Sequence, residues 1–361
     1  MPLSEFEIID RFFRNAELCF PRPGIELGIG DDAAVITVPD NKVLVMSMDV
    51  LVADVHFPAN ADPGLIARRA LAVNLSDLAA MAAEPFCFTL GLTLTQADPH
   101  WLTQFATGLA EAAKAFNCPL VGGDTTCANT NINTSNITHT ATASTNSDSN
   151  SNIGPSIAIQ VQGLCEPDKV LRRNGAQAGD QLYITGTLGD AATALLHLGL
   201  NTHLGTQMRL SPGADPASAT HCKARYFTPQ PRLEFARCIA EFATAGIDIS
   251  DGIAGDAAHL ARESGLCARL NLDKLPISEQ QKDCLGNDKH SYLLAACGGD
   301  DYELAITVPP AHCAAVEKVA AAMSLPLSCV GEMVKGSGIK FLGNMANELG
   351  TSLQGFQHFT Q

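Results

Sequence analysis

Six short aspartate motifs recur along the 361 residues: GIGDDAAV (28–35), SMDVLVADVHF (47–57), NLSDLAAMAAEP (74–85), VGGDT (121–125), GIDISDGIAGD (246–256) and GGDDYEL (298–304). Each sits beside small residues that let backbone or ligand approach closely. Any one alone reads as a turn or a solvated cap more readily than as a site. Six together, each next to a strand-like or helix-like apolar segment, point to a fold that gathers carboxylates around a cleft. Carboxylates so gathered repel one another unless cations lie between them. Mg²⁺ meets that need, because it takes oxygen ligands in octahedral geometry and completes its shell with water and substrate phosphates. The implied substrate is a polyphosphate. The chain has no G-x-x-x-x-G-K-[ST] loop, no protein-kinase H-R-D signature and little basic clustering, so ATP would be held through metals rather than a lysine cradle.

The length favours two domains, and 46% hydrophobic residues give ample material for their cores. A net charge of -15 opposes broad contact with a nucleic-acid backbone. No apolar run approaches the ~20 residues of a membrane helix, and the opening MPLSEFEIIDRFF lacks the layout of a signal peptide, so a cytoplasmic protein with no membrane partner is expected. The 12 cysteines are scattered without any C-x-x-C pair, which argues against a zinc site or a disulfide framework. Sequons at Asn74, Asn133 and Asn136 carry no weight without a secretory signal.

Residues 43–48 read as a strand that delivers Asp49 at its end. Asp62-Pro63 is a capped helix start, followed by helical spacing at Leu65, Ile66, Ala70, Val73 and Leu78, which puts Asp77 on or just after that helix. A second amphipathic helix spans Trp101 to Phe116, and Gly122-Gly123-Asp124 reads as a glycine turn presenting a carboxylate. From Thr125 to Gly154, 20 of 30 residues are Ser, Thr or Asn. Such a composition cannot offset its ordering entropy, so a disordered insertion is expected at about 126–154. A strand is expected at 156–163, and Gly179 to Thr185 opens a second α/β region. The expected domains are 1–165 and 166–361, with the junction near 165–178. A polar loop is expected at about 200–220.

The combination of NLSDLAAM, VGGDT, DISDG and GGDDYEL with GFQHF (355–359) resembles the thiamine-monophosphate kinase family, within the aminoimidazole ribonucleotide synthetase superfamily. The resemblance runs from Ser4 to Phe359, interrupted chiefly by the polar insertion. It implies an α+β fold of two domains, an N-terminal domain whose sheet pairs across a homodimer into a β-barrel and a C-terminal α+β domain. It also implies an ATP-dependent transfer of a phosphoryl group to thiamine monophosphate, giving thiamine diphosphate, with several Mg²⁺ ions. Carried over by position, the metal ligands would be Asp31, Ser47, the Met48 backbone region, Asp49, Asp77, Asp124, Asp248 and Asp251, with Asp31, Asp124 and Asp251 as catalytic carboxylates. Gly123, Asp124, Arg173 and Ser250 would hold the nucleotide, and His56, Asp300 and Phe356 the thiamine monophosphate. Three positions depart from the family pattern: Asp300 replaces a glutamate, Ala106 an aromatic and Cys127 an arginine. Alternatives are another ATP-dependent reaction of the superfamily, or a catalytically silent metal-binding interaction protein.

Overall fold

The computed structural model describes residues 3–128, 154–200, 204, 208–286, 288–350 and 353–356. They form a mixed α/β fold of two domains, each built on its own sheet. The first domain comprises α1 (Glu5–Ile8), β1 (Ile25–Leu27), β2 (Val35–Ile36), β3 (Val43–Val52), α2 (Pro63–Ala80), β4 (Glu84–Leu94), α3 (Pro99–Ala115), β5 (Leu120–Cys127) and β6 (Ser156–Cys165). Its four-stranded sheet has the order β3-β6-β4-β5, so β3 and β5 are its edges among the described residues, and β1 pairs with β2 apart from it.

Asp62 caps α2 by accepting from the Leu65 amide at 2.9 Å, and Pro63 occupies the first helical position, where its missing N–H costs nothing. The helix is buried on nearly every side, which requires partners all round. It packs on the sheet and on α3, and reaches into the second domain. The crossing with α3 is close because both helices carry glycine there: a Cβ on Gly108 would lie 2.3 Å from the Gly64 carbonyl oxygen. One face of the sheet, with Val45, Leu51, Phe88, Leu90, Ile157 and Ile159, packs against these helices to make the first core. Each such fully buried side chain contributes about 1.5–3 kcal/mol of transfer free energy.

The second domain contains β7 (Gln181–Thr185), α4 (Asp190–Leu198), α5 (Pro216–Phe227), α6 (Leu233–Ile239), β8 (Ala245–Asp248), α7 (Ile253–Glu263), β9 (Leu266–Asn271), α8 (Glu279–Leu285), α9 (Asp288–Cys297), β10 (Leu304–Val308), α10 (Cys313–Ala322), β11 (Leu327–Lys335), β12 (Gly338–Leu342) and α11 (Asn344–Leu349). Its six-stranded sheet has the order β12-β9-β11-β7-β10-β8, antiparallel except for the β12–β9 pair. β8 and β10 are buried at every residue, so layers cover both their faces.

Three local readings change. The strand carrying Asp49 continues to Val52, because all ten residues of β3 pair with β6. Gly122-Gly123-Asp124 lies inside β5 rather than in a turn: β5 pairs in parallel with β4, and at Gly123 a Cβ would lie 2.0 Å from the Leu90 carbonyl oxygen, so glycine admits the neighbouring strand. Of the polar loop expected at about 200–220, residues 201–203 and 205–207 lie outside the described residues, and from Pro216 the chain is already in α5, capped by Asp215. The insertion expected at about 126–154 falls outside the described residues from 129 to 153. Among the described residues no helix is long and apolar enough to cross a membrane.

Candidate active site

A cavity of about 390 Å³ opens between the domains. From the first domain it takes Met48, Asp49, His56, Arg69 and Asp77, and from the second Asp248, Ser250, Asp251, Asp300, Tyr302 and Phe356. Strand alternation explains the first set. Odd-numbered residues of β3 face α2, so Ser47 donates to the Asp77 carboxylate and the Asp49 amide donates to Asn74 Oδ1 at 2.9 Å. Asn74 is wholly buried and is itself fixed by donating to the Ala70 carbonyl. The His56 ring accepts at Nδ1 from the Val52 amide at 3.0 Å.

Backbone hydrogen bonds bring the second set together. The Asp300 amide donates to the Ser250 carbonyl and the Tyr302 amide to the Ile249 carbonyl, both at 2.8 Å. On the other side of the same loop, the Phe356 amide donates to the Asp251 carbonyl at 2.8 Å. Three motifs distant in sequence therefore share one wall. Gly252, at φ +101°, allows the turn from this wall into α7. Within DDYE the residues alternate: Asp300 and Tyr302 line the cavity, while Asp301 and Glu303 are buried anchors. Asp301 accepts from the Gly189 amide, and Glu303 accepts from Arg225, Arg232 and Thr185.

The carboxylates are electrostatically uncomfortable. Burial, followed by the charge of Asp77, pushes Asp49 up to about 6. Burial and then the charges of Asp77 and Asp49 push Asp248 up to about 7. Asp77 is raised by burial against the opposing pull of its Ser47 hydrogen bond and of Arg173. Asp256, which accepts from the Asp251 amide at 3.2 Å, is raised well above the usual carboxylate range, first by burial and then by Asp248 and Asp251. A cation would relieve this repulsion, and carboxylate, hydroxyl and carbonyl oxygens are the hard donors that Mg²⁺ takes. Among the described residues, no group of three or more His, Cys, Asp or Glu side chains is arranged to hold an ion alone. An ion at these residues must draw further oxygens from phosphate or water, which is the habit of Mg²⁺.

The remaining candidates lie elsewhere. Ser47 and Arg173 line a second cavity of about 450 Å³, and Asp77 lines both. Asp31, Gly123 and Asp124 line a third, of about 740 Å³. Asp124 pairs with Gly91, Gly91 with Ala158 and Ala158 with Val50, so Asp124 points from the outer face of the sheet with Val50. Asp49 points from the inner face. Within one chain these two carboxylates do not meet. Ala106 is buried in the first core. Sequence reasoning passed over Arg69, Tyr226 and Tyr302. Arg69 had a signal: with Val73 and Asp77 it forms an i, i+4, i+8 stripe on α2, and all three line the cavity.

Residues 30–144 match the family model for the N-terminal domain of AIR synthase related proteins, and residues 177–344 match the model for their C-terminal domain. The thiamine-monophosphate kinase of Salmonella typhimurium is 35% identical over 92% of this chain and 91% of its own. The crystal structure of thiamine-monophosphate kinase from Stenotrophomonas maltophilia K279a superposes with a TM-score of 0.76 at 34% identity, covering 94% of this chain and 97% of that one. AaThiL complexed with AMPPCP and TMP superposes with a TM-score of 0.70 at 25% identity, covering 99% of both chains. A carboxylate-lined cleft between two such domains and this likeness over almost the whole length agree: the chain belongs to the thiamine-monophosphate kinase family.

Proposed function

We infer that the protein transfers a phosphoryl group from ATP to thiamine monophosphate, producing thiamine diphosphate. The observation that carries this reading is the place of Asp77, on the common wall of two cavities. One holds Arg173, a cation suited to donor phosphates, and the other holds His56, Asp300 and Phe356, suited to the acceptor. The complex of AaThiL with AMPPCP, an ATP analogue, and TMP supports the presence of both ligands in one fold.

The acceptor is a phosphate monoester with a second pKa near ~6, so its attacking oxygen is largely ionised at neutral pH and needs no strong base. The obstacle is bringing one anion in line with another. Asp49, Asp77, Asp248 and Asp251 would hold Mg²⁺ with Ser47 and the Met48 backbone, and the bound ions would offset charge on the phosphoryl oxygens. Arg173 and Ser250 bind the nucleotide phosphates, and His56, Asp300 and Phe356 orient the acceptor, the Phe356 ring by stacking. Transfer is direct, without a phosphoenzyme. Chiral γ-phosphate should emerge inverted; retained configuration would overturn the direct route.

The site is completed by a second copy of the chain. β3 is a ten-residue edge strand, and Leu44, Met46, Met48 and Val50 on its outer face are 39–55% exposed. A long apolar edge of this kind invites pairing. Joining β3 to β5 of a partner on each side closes the two sheets into a β-barrel, in a homodimer of twofold symmetry. That pairing sets Gly123 and Asp124 of the partner subunit on the strand next to β3, which carries Ser47 and Asp49. A monomer on sedimentation would refute it. All twelve cysteines are free, which supports a reducing, cytoplasmic compartment.

The function is tested by ADP release from ATP and Mg²⁺ with thiamine monophosphate, free thiamine or no acceptor, with the product identified by chromatography. Thiamine diphosphate formed only from the monophosphate is expected. Folded protein that turns over none of the three would redirect the assignment to another acceptor.

A further inference from the structure

Arg69 is 1% exposed, and its guanidinium crosses from α2 into the second domain. Its Nη2 donates to Asp300 Oδ1 at 2.6 Å and its Nη1 to the Tyr226 carbonyl at 2.8 Å. The guanidinium carbon lies 3.9 Å from the centroid of the Tyr226 ring and 5.6 Å from that of Tyr302. The Tyr226 hydroxyl in turn donates to the His56 carbonyl at 2.6 Å. A continuous chain of contacts thus runs from His56 on one wall of the cavity, through Tyr226 and Arg69, to Asp300 on the opposite wall.

Burying an ion pair is a poor way to gain stability, since apolar side chains of similar volume do as well or better. The arrangement is explained instead by what it fixes. Asp300 stands at φ +63° in a loop bent away from ordinary backbone conformations, and its side chain is short. A short carboxylate on such a loop needs a partner to hold its direction, and the long planar fork of Arg69 supplies one.

We propose that Arg69 is the positioning residue of the acceptor pocket: it fixes Asp300 and, through Tyr226, sets the spacing between Asp300 and His56, without acting on the phosphoryl group. The inference rests on reading this cavity as the thiamine monophosphate pocket. Arg69 lines the cavity of His56 and Asp300 and not the one that holds Arg173, so its loss should affect acceptor binding more than ATP binding.

The test is steady-state kinetics of Arg69→Met, Tyr226→Phe and the exchanged pair Arg69→Lys/Asp300→Glu, each checked by thermal melting. In Arg69→Met the KM for thiamine monophosphate should rise about tenfold or more, with KM for ATP and kcat changing less than about threefold. Tyr226→Phe should raise the same KM by a smaller factor. The exchanged pair should recover acceptor KM beyond the sum of its two single variants, because a shorter cation and a longer carboxylate restore the reach. A folded Arg69→Met with unchanged acceptor KM, or with kcat and both KM values altered in parallel, would overturn the proposal. If Arg69→Met does not fold, an exchanged pair that is merely additive would overturn it equally. Wild-type protein inactive on thiamine monophosphate would strike the functional reading instead, and that result is separate.

Discussion

Asp49 and Asp124 belong to one sheet and point from opposite faces of it, on strands that form its two edges among the described residues. If the site joins Asp49 of one subunit to Asp124 of the partner subunit, two dead variants must rescue each other. Asp49→Asn and Asp124→Asn are each expected to be inactive as homodimers. Mixed in equal amounts, denatured and refolded together, half the dimers are heterodimers and each has one intact site, giving about a quarter of wild-type activity. No recovery from a mixture shown to contain heterodimers would place both carboxylates in separate roles.

Asp251 is a cavity residue whose backbone ties the DISDG loop to Phe356 and Asp256. Asp251→Asn keeps the shape and the backbone contacts while removing the charge. Activity should fall by about a hundredfold or more with thermal stability nearly unchanged, as expected for a group whose charge serves the reacting phosphates. A variant within a few-fold of wild type would remove Asp251 from the site.

Much of this was legible in the chain, and the misreadings have physical causes. The cap and proline at Asp62-Pro63 announce α2 because end signals are local. Gly122-Gly123 looked like a turn because glycine permits one, whereas here glycine admits the β4 backbone, a tertiary demand with no local trace. The motifs that line the central cavity could be read as a set, since each brings its own carboxylate. What could not be read was the partition of the aspartates among three cavities, which depends on strand order and register. Arg69 went unread because its importance rests on Tyr226 and Asp300, 157 and 231 residues away.

The raised carboxylates make metal-free stability depend on pH. Asp49 at about 6 and Asp248 at about 7 hold their protons more tightly folded than unfolded, where the ordinary value is 3.8. Their contribution is therefore fully present below about pH 4 and is lost as pH rises through 6 and 7. In chelator, the melting temperature should fall between pH 5 and pH 8. Mg²⁺ should raise it more at pH 8, where the carboxylates are ionised, than at pH 5, where it must displace protons. Equal Mg²⁺ effects at both pH values would mean that these carboxylates do not bind the ion.

The close crossing of α2 and α3 sets where Asp77 and Arg69 stand. Gly108→Ala tests it, because two effects oppose each other. Alanine in a helix interior is worth about 0.5–1 kcal/mol over glycine. Its Cβ, however, would stand 2.3 Å from the Gly64 carbonyl oxygen and 2.5 Å from the Gly64 Cα, and both are backbone atoms with no rotamer to yield. Overpacking of this kind costs about 1–3 kcal/mol, so the clash should win. The variant should melt a few degrees below wild type, and activity should fall as α2 is pushed from α3 and Asp77 shifts relative to Ser47. A Gly108→Ala protein as stable and active as wild type would mean that the helices do not approach through these glycines.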